Sequence, residues 1–368
     1  MPSASRYELL DRIAIGGMAE LFRARIVGEQ GFYKIVAIKR VLPKYSADKI
    51  FAQMLVDEAR IVSHLSHPNV VEVYELGRDT EGRLFMALEL VQGPSLASLQ
   101  AKLLSAGSRL PEACALDVII HLLEALDYAH RMTDPAGRPL NLVHRDVSPD
   151  NLLLTREGGV KLTDFGVAKA RGRITKTQVG TIRGKLAYMS PEQACGRDVD
   201  GRADIFAAGL MLWEALAGRM HYEAPSDHEL GQRVAAGRTR PLAEVGVVAA
   251  QEIEAALTKA LAFHPDARYP RAGDFARDLA IHHRRTYPDY SPSQLGALVE
   301  GHFGSRFQLL ADRLRRFTSG EERPSGWLRP VEEKESSPAT QVARMDDEGF
   351  EPLVPAELPT DSSGAALL

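Results

Sequence analysis

The sequence of 368 residues contains little cysteine and no long hydrophobic run. Its two cysteines, Cys114 and Cys195, cannot build a disulfide framework, and no cluster of cysteine and histidine has metal-ligand spacing. The longest apolar run, residues 205–213, is far shorter than the ~20 residues that a membrane span requires. The N-terminus lacks the apolar stretch of a signal peptide. We therefore expect a cytoplasmic protein without a membrane span, whose thiols are reduced.

The charge balance excludes a further class, the strongly basic proteins that bind nucleic acids. Lys and Arg number 45 against 49 Asp and Glu, a net charge of −4. Residues 318–368 hold 11 acidic and 4 basic residues, so the acidity lies in this tail and the rest is near neutral. The tail is rich in Pro, Ser and Glu and has no apolar periodicity, which predicts disorder. Its aromatic residues, Trp327 and Phe350, are either docking points or stray side chains.

The order of the predicted elements indicates an α+β protein with two lobes. Strand patterns with apolar alternation or β-branched residues cover residues 7–15, 19–27, 34–41, 70–76 and 84–90. Helical periodicity covers residues 51–65, 113–132, 204–217, 252–262 and 272–283, with one or two further helices within 290–317. The pattern predicts a small antiparallel sheet with one helix, joined near residues 89–93 to a larger helical lobe. A cleft between two such lobes is a preferred ligand site.

A carboxylate on an apolar helix face is the first indication of chemistry. Glu58 and Phe51 are seven residues apart, so both lie on one stripe of the predicted helix over 51–65. A buried carboxylate is costly unless it is paired with a cation. Lys39, at the end of the strand 34–41, is the candidate partner, although a lysine in that position is often simply solvated.

Three short motifs follow in a fixed order. They are His-Arg-Asp-Val-Ser-Pro-Asp-Asn at 144–151, Asp-Phe-Gly at 164–166 and Ser-Pro-Glu at 190–192. With Lys39 and Glu58 upstream, the chain resembles the bacterial eukaryotic-like (Hanks-type) protein serine/threonine kinases over about residues 7–283. The resemblance implies the two-lobed kinase fold, with an N-lobe at 7–90 and a C-lobe at 94–283. Residues 1–6 would be an N-terminal extension, 284–317 a helical extension and 318–368 the disordered tail.

The resemblance assigns roles in phosphoryl transfer from ATP, which depends mainly on positioning and charge neutralisation. Lys39, held by Glu58, would bind the α- and β-phosphates. Asp164 and Asn151 would supply oxygen ligands to Mg²⁺. Asp146 would orient the hydroxyl of a protein substrate and accept its proton.

The resemblance also implies an adenine site after the strand 84–90. Leu88 would limit the depth of the pocket, Ala37 would lie above the ring, and the backbone of Glu89 and Val91 would hydrogen-bond it. The remaining nucleotide contacts would be Ile13, Gly16, Gly17, Leu21 and Leu153.

Three further contacts that the resemblance implies are structural. His144 would pack under the turn of Asp164, and Asp204 would bind the backbone of residues 144–145. Glu192 would pair with Arg268.

The glycine-rich loop departs from the family pattern Gly-x-Gly-x-x-Gly. Residues 14–19 read Ala-Ile-Gly-Gly-Met-Ala, so alanines replace the outer glycines. Gly16 and Gly17 keep the tip, where backbone N–H groups approach phosphate most closely. We expect weaker or slower handling of ATP and not its loss.

The catalytic loop departs from the family at Ser148, where a lysine usually stands two residues after the catalytic Asp. Residues 184–185 read Gly-Lys, where the family usually has Gly-Thr. We hypothesise a swap in which Lys185 supplies the ammonium group and Ser148 the hydroxyl group. The alternative is that Lys185 is solvated on the activation segment.

Arg145 precedes the catalytic Asp, as in relatives whose activation loop is ordered by phosphorylation. We expect autophosphorylation within residues 164–192, on Thr175, Thr177 or Thr181, with the last two preferred.

Two other classes of protein are alternatives to an active protein kinase. The altered glycine loop and Ser148 favour a pseudokinase, a scaffold or nucleotide-binding regulatory module. A small-molecule phosphotransferase is disfavoured, because such enzymes lack the Ser-Pro-Glu motif that closes the activation segment here at residues 190–192. The catalytic loop also lacks the pattern of tyrosine kinases. We expect protein substrates, and a possible regulatory partner at the C-terminal helices or acidic tail.

Overall fold

The computed structural model describes residues 6–16, 19–28, 30, 32–45, 53, 56, 59, 62–79, 81–134, 136–165 and 186–328, and every structural statement below refers to these residues. They belong to the unit formed by residues 1–331, and the second unit, 332–368, lies outside the described residues.

The N-lobe is an antiparallel sheet, as predicted from the strand patterns. Its strands are β1 (Arg6–Ile15), β2 (Ala19–Val27), β3 (Tyr33–Val41), β4 (Val73–Arg78) and β5 (Leu84–Glu89), in the order β4-β5-β3-β2-β1. Because side chains alternate along a strand, β3 serves two cores. Val36 and Ile38 pack with Phe85 on one face, whereas Ala37 packs with Leu88 on the other. The second face is the one that looks into the cleft.

The C-lobe is helical, with a small hairpin at its boundary with the sheet lobe. The helices are α1 (Leu96–Ser105), α2 (Glu112–His130), α3 (Pro191–Ala194), α4 (Arg202–Ala217), α5 (Asp227–Ala236), α6 (Gln251–Ala260), α7 (Ala272–Thr286) and α8 (Pro292–Ser319). The hairpin consists of β6 (Leu152–Leu154) and β7 (Val160–Leu162). Helix α4 is buried from Ala203 to Leu216, because its sequence is apolar on all sides. No helix in the described part of the chain has the length and apolarity to cross a membrane.

The lobes are joined by residues 90–95, which follow β5 and lead into α1. Gly93 lies against the hairpin so closely that a Cβ there would be 1.6 Å from the carbonyl oxygen of Leu154. Only glycine fits this position, so the connection is held tightly on the C-lobe.

Helices α1 and α5 were not predicted from the sequence. Both are ten residues long and begin at a serine N-cap, Ser95 and Ser226, whose side chain accepts a backbone N–H of the first turn. Helix α5 buries only Leu230 and Val234, which is too few for a clear periodic signal. Of the predicted helix over 51–65, residues 53, 56, 59 and 62–65 are described. Residues 53, 56, 59 and 62 are helical, whereas residues 63–65 are not.

The prediction of disorder from residue 318 onward is wrong for residues 318–328. Helix α8 is one continuous helix that ends at Ser319, and the chain then forms strand β8 (Gly326–Leu328). Strand β8 pairs antiparallel with β1 and becomes the sixth strand of the sheet. Three residues are too short for a strand pattern in a sequence, so only the tertiary pairing makes this segment ordered. Residues 329–368 lie outside the described part.

Candidate active site

The catalytic loop is held by a buried carboxylate, as predicted for Asp204. Its side chain accepts the backbone N–H groups of His144 and Arg145, both at 2.8 Å, and lies 2.8 Å from Nε2 of His130. Burial acts to raise the pKa of Asp204, but the His130 contact and the His144 N–H outweigh it and hold the pKa below its usual value. Arg145 has a φ of 63°, a left-handed conformation that a non-glycine residue rarely adopts. The two N–H bonds to Asp204 therefore hold a strained backbone in place.

His144 packs under the turn of Asp164, which confirms the sequence prediction. Its ring centroid lies 4.6 Å from that of Phe165, and its Nε2 lies 3.1 Å from the carbonyl oxygen of Thr163. Burial lowers the pKa of His144, which favours the neutral ring. The carbonyl then receives the Nε2 proton, and Nδ1 accepts the backbone N–H of Asp146 at 3.2 Å. One neutral tautomer satisfies both contacts and ties the two motifs together.

Asp146 is half-buried, and its backbone is fixed on both sides. Besides the bond to His144, its carbonyl accepts the side-chain amide of Asn151 at 2.7 Å. The N–H of Asn151 in turn donates to the carbonyl of Ser148 at 3.1 Å. Ser148 is buried and has an extended backbone. The loop thus presents the side chain of Asp146 on a rigid turn.

Lys39 and Asp164 meet across the cleft. The ammonium nitrogen of Lys39 lies 2.7 Å from Oδ1 of Asp164, so strand β3 and the Asp-Phe motif are in direct contact. Asp164 has a φ of 57°, which turns its side chain toward the sheet, and 48% of that side chain is exposed. At this open cleft, the ammonium group can bind a phosphate, and the carboxylate can bind the cation that accompanies the phosphate. The predicted partner of Lys39, Glu58, lies outside the described residues, so that pair stays a prediction.

The residues predicted to hold Mg²⁺ have suitable chemistry. Asp164 offers carboxylate oxygens, and Asn151, whose amide nitrogen is engaged by Asp146, offers its amide oxygen. Within the described ranges, no group of three or more His, Cys, Asp or Glu side chains is arranged to hold a metal ion. Two oxygen ligands fit Mg²⁺, which usually keeps waters and binds substrate phosphates as well.

The predicted adenine contacts converge on one apolar cluster. Ala37 and Leu88 are paired across β3 and β5, and Leu21, Val91 and Leu153 pack against them. These residues come from both lobes, so the cluster forms a slot between them. A pocket behind the slot is lined by Lys39, Val62, Val71, Val73, Met86, Leu88, Leu162, Thr163, Asp164 and Phe165.

The other predicted nucleotide contacts lie outside this apolar cluster. The N–H of Glu89 donates to the carbonyl of Glu72 at 2.9 Å, so the carbonyl of Glu89 is the group left for the ring. Gly16 closes its turn by donating to the carbonyl of Ala19 at 2.8 Å. Ile13 is half-buried on β1 and is not part of the apolar cluster. Gly17 lies outside the described residues, and so does Lys185.

A link between the catalytic loop and helix α3 was not predicted from the sequence. Gln193 forms a capping box with Ser190, and its side-chain amide also donates to the carbonyl of Arg145 at 3.2 Å. The pattern Ser-x-x-Gln at 190–193 is a known sequence signal for a helix start. That the same amide also binds the catalytic loop is a tertiary fact without a sequence signal.

Two buried polar pairs fix the end of the activation segment to the C-lobe. Arg268 binds Glu192 through two bonds of 2.6 and 2.8 Å, which confirms the predicted pair. Tyr188 donates to Glu214 of helix α4 at 2.5 Å, a contact not predicted. Burial raises the pKa of Glu214 to about 7. The predicted phosphorylation sites Thr175, Thr177 and Thr181 lie outside the described residues.

Comparison with known proteins gives a consistent result. The protein kinase domain model matches residues 7–270. The chain is 41% identical over 301 residues to the tyrosine-protein kinase MasK of Myxococcus xanthus, a match that covers 81% of this chain and 46% of MasK. It is 31% identical to the serine/threonine-protein kinase PrkC of Bacillus subtilis, over 75% of this chain and 40% of PrkC. The chain thus matches less than half the length of each relative.

A solved structure also resembles the fold. The kinase domain of PknI from Mycobacterium tuberculosis is 26% identical, with a TM-score of 0.56, over 76% of this chain and 97% of that domain. Together with the geometry of the catalytic loop and cleft, these matches show that the chain belongs to the protein kinase family.

Proposed function

We propose that this chain is an ATP-dependent protein kinase that transfers the γ-phosphoryl group of ATP to Ser and Thr hydroxyl groups of proteins. The observation that carries the proposal is the rigid loop that presents Asp146 beside Asn151, below a cleft in which Lys39 meets Asp164. Sequence identity to PrkC and other bacterial kinases named for serine and threonine supports the choice of acceptor.

In the proposed reaction, Asp146 orients the acceptor hydroxyl and takes up its proton. A bond forms between the hydroxyl oxygen and the γ-phosphorus, and the bond from that phosphorus to the bridging oxygen breaks, so ADP leaves with the electron pair. Proton transfer of this kind contributes about 10²–10⁴-fold. Lys39 binds phosphate oxygens through its ammonium group. Mg²⁺, held by Asp164 and Asn151, supplies neutralisation of the phosphate charge when it is bound.

The test is transfer of labelled phosphate from Mg²⁺–ATP to the protein itself and to a basic protein substrate. Asp146→Asn should abolish incorporation, whereas Asp150→Asn, an exposed aspartate in the same loop, should leave it intact. Label on phosphoserine or phosphothreonine supports the proposal. Nucleotide binding without transfer in the wild type, under all activating conditions, would favour a regulatory module instead.

Tyrosine is the second candidate acceptor, because MasK is named a tyrosine kinase and is 41% identical. Phosphoamino-acid analysis of the labelled protein separates the two acceptors. Phosphotyrosine alone would replace the Ser/Thr proposal.

We also propose that Lys185 supplies the ammonium group that Ser148 cannot. Ser148 is buried and stands two residues after Asp146, which supports a contact between its hydroxyl group and the carboxylate of Asp146. Lys185→Ala should lower kcat by orders of magnitude, whereas Lys102→Ala, at an exposed lysine of α1, should not. An almost unchanged rate in Lys185→Ala would refute the swap.

Autophosphorylation of the activation loop is part of the same proposal. Phosphopeptide mapping of active enzyme should locate phosphate on Thr177 or Thr181, or on Thr175. Active enzyme that carries none of these modifications would contradict it.

A further inference from the structure

Helix α8 and strand β8 together contact both lobes. The first half of α8 belongs to the C-lobe, since Leu295, Val299 and Phe303 are buried in its core. The segment after α8 belongs to the N-lobe, since Leu328 is only 1% exposed and packs with Tyr7 and Phe85. A helix of 28 residues is about 42 Å long, enough to pass from one lobe to the other.

The start of α8 is seated tightly on the turn between β6 and β7. Gly158 has a φ of 89°, and a Cβ there would be 1.9 Å from the carbonyl oxygen of Pro292. A Cβ on Gly296 would likewise be 2.8 Å from the carbonyl oxygen of Arg156. The Arg156 side chain binds Glu300 through two bonds, at 2.7 and 3.0 Å. This turn follows directly after the strand that carries Leu153 of the nucleotide slot.

The far end of α8 is attached to strand β1. Arg313 lies 3.3 Å from Asp11 of β1 and 3.1 Å from Glu322, which follows the helix. Ser325 then donates its backbone N–H to the carbonyl of Leu9 at 2.8 Å. Pairing continues through residues 326–328, where Leu328 is the partner of Tyr7. Ion pairs, backbone bonds and an apolar anchor therefore hold the segment on the sheet.

We infer that residues 292–328 form a lobe tie, a connection between the lobes in addition to residues 90–95, and that it limits how far the nucleotide cleft opens. The two lobes contribute opposite walls of the slot, Ala37 and Leu88 from the sheet and Leu153 from the hairpin. Two lobes joined by one connection sample many relative orientations, whereas a second connection removes the orientations in which the cleft is wide open. Apparent affinity falls in proportion to the fraction of molecules in the competent arrangement. In its consequence for nucleotide binding, the inference rests on the proposed function.

The direct test measures the spread of distances between the lobes by pulsed spin-label spectroscopy of the full chain. Labels are placed on Phe32→Cys of the N-lobe and Val248→Cys of the C-lobe, which are 67% and 97% exposed, with Cys195 replaced by serine. Leu328→Asp should broaden the distribution toward longer distances. The matched control is Leu309→Asp, the same change at a residue of α8 that is 69% exposed, and it should leave the distribution unchanged.

The second readout is the Kd for Mg²⁺–ATP. If release of the tie lowers the competent fraction to a fifth, Leu328→Asp raises the Kd about five-fold, and Leu309→Asp does not. If Leu328→Asp unfolds, Arg313→Gln replaces it, because Arg313 is a partly exposed side chain whose loss spares the core. Its expected effects are in the same direction and about two-fold.

The outcomes separate the tie from the proposed function. A distance distribution that is the same in the tie variants and the control overturns the tie, whatever the activity. A broader distribution in the tie variants supports the tie even if the wild type binds Mg²⁺–ATP but transfers no phosphate, a result that would refute the kinase proposal. A broader distribution with an unchanged Kd overturns the link between the tie and the nucleotide cleft.

Discussion

Replacement of Asp204 by asparagine should damage both stability and catalysis. The carboxylate has two oxygens, of which one accepts the N–H of His144 and faces His130, and the other accepts the N–H of Arg145. An amide keeps one acceptor and turns its NH₂ group toward a backbone N–H. A hydrogen bond to a charged group, worth about 1.5–3 kcal/mol, is then lost, and a buried N–H is left unsatisfied at a cost of about 1–3 kcal/mol. We expect the free energy of unfolding to fall by about 3–5 kcal/mol.

The catalytic effect follows from the strained backbone of Arg145. Without its bond to residue 204, the left-handed conformation relaxes and the neighbouring Asp146 moves. A displacement of about 1 Å costs roughly 10²-fold in rate, so kcat should fall by about that factor while the KM for ATP changes little. The slot that we propose for the nucleotide is formed by other residues, which is why nucleotide binding should be spared.

The assay combines urea unfolding with steady-state phosphate transfer. Asp274→Asn is the matched control, because Asp274 occupies the first turn of α7 as Asp204 occupies the first turn of α4, but it is only half-buried and forms an ion pair with the exposed Arg277. A loss of stability in Asp204→Asn within about 1 kcal/mol of the control, with an unchanged kcat, would refute the reasoning.

Three further substitutions follow from buried contacts. The folded-state pKa of Glu214, about 7, lies above its ordinary value of 4.5, so the stability of the wild type falls as the pH rises from 4.5 to 7. Glu214→Gln lacks this titration and should gain about 3 kcal/mol of stability relative to the wild type by pH 8. Urea unfolding at a series of pH values measures the difference. Arg268→Ala leaves the Glu192 carboxylate buried without its partner and should cost about 3–5 kcal/mol in the same assay. Gln193→Leu removes both the bond to the carbonyl of Arg145 and the capping-box bond from the N–H of Ser190, so it should lower kcat about ten-fold and cost about 1–3 kcal/mol in stability, measured by phosphate transfer and unfolding.

Each of these variants has an exposed counterpart in the chain. Glu244→Gln alters an exposed carboxylate, Arg219→Ala breaks the exposed ion pair with Glu223, and Gln232→Ala removes an exposed side chain of α5. A pH profile of Glu214→Gln that follows the wild type would contradict the raised pKa. Equal effects of Arg268→Ala and Arg219→Ala would contradict the buried pair, and an unchanged kcat in Gln193→Leu would remove that residue from the positioning of the loop.

The strands β1 to β5 and the long helices α2, α4, α6 and α7 were predictable within a few residues. Their apolar periodicity is dictated by burial on one face or, for α4, on all faces. The short helix α5 was not, because it buries only Leu230 and Val234 and its stability comes from its serine cap and its neighbours.

The order and identity of the motif residues are properties of the sequence. Phosphoryl transfer needs a carboxylate base, oxygen ligands and a cation, and in the proposed reaction Asp146, Asn151, Asp164 and Lys39 supply these groups. The structural pair of Glu192 and Arg268 was also predictable, because the motifs that carry it are specific.

Only the tertiary structure decided what lies next to what across long separations in the chain. The contact of Lys39 with Asp164, the bond of Gln193 to the catalytic loop and the pairing of residues 326–328 with β1 join positions without a shared local pattern. Sequence periodicity reports which face of an element is buried, but it does not report which partner covers that face. The lobe tie is the clearest case, since three residues that read as part of a disordered tail become a strand only because the edge of β1 lies open to them.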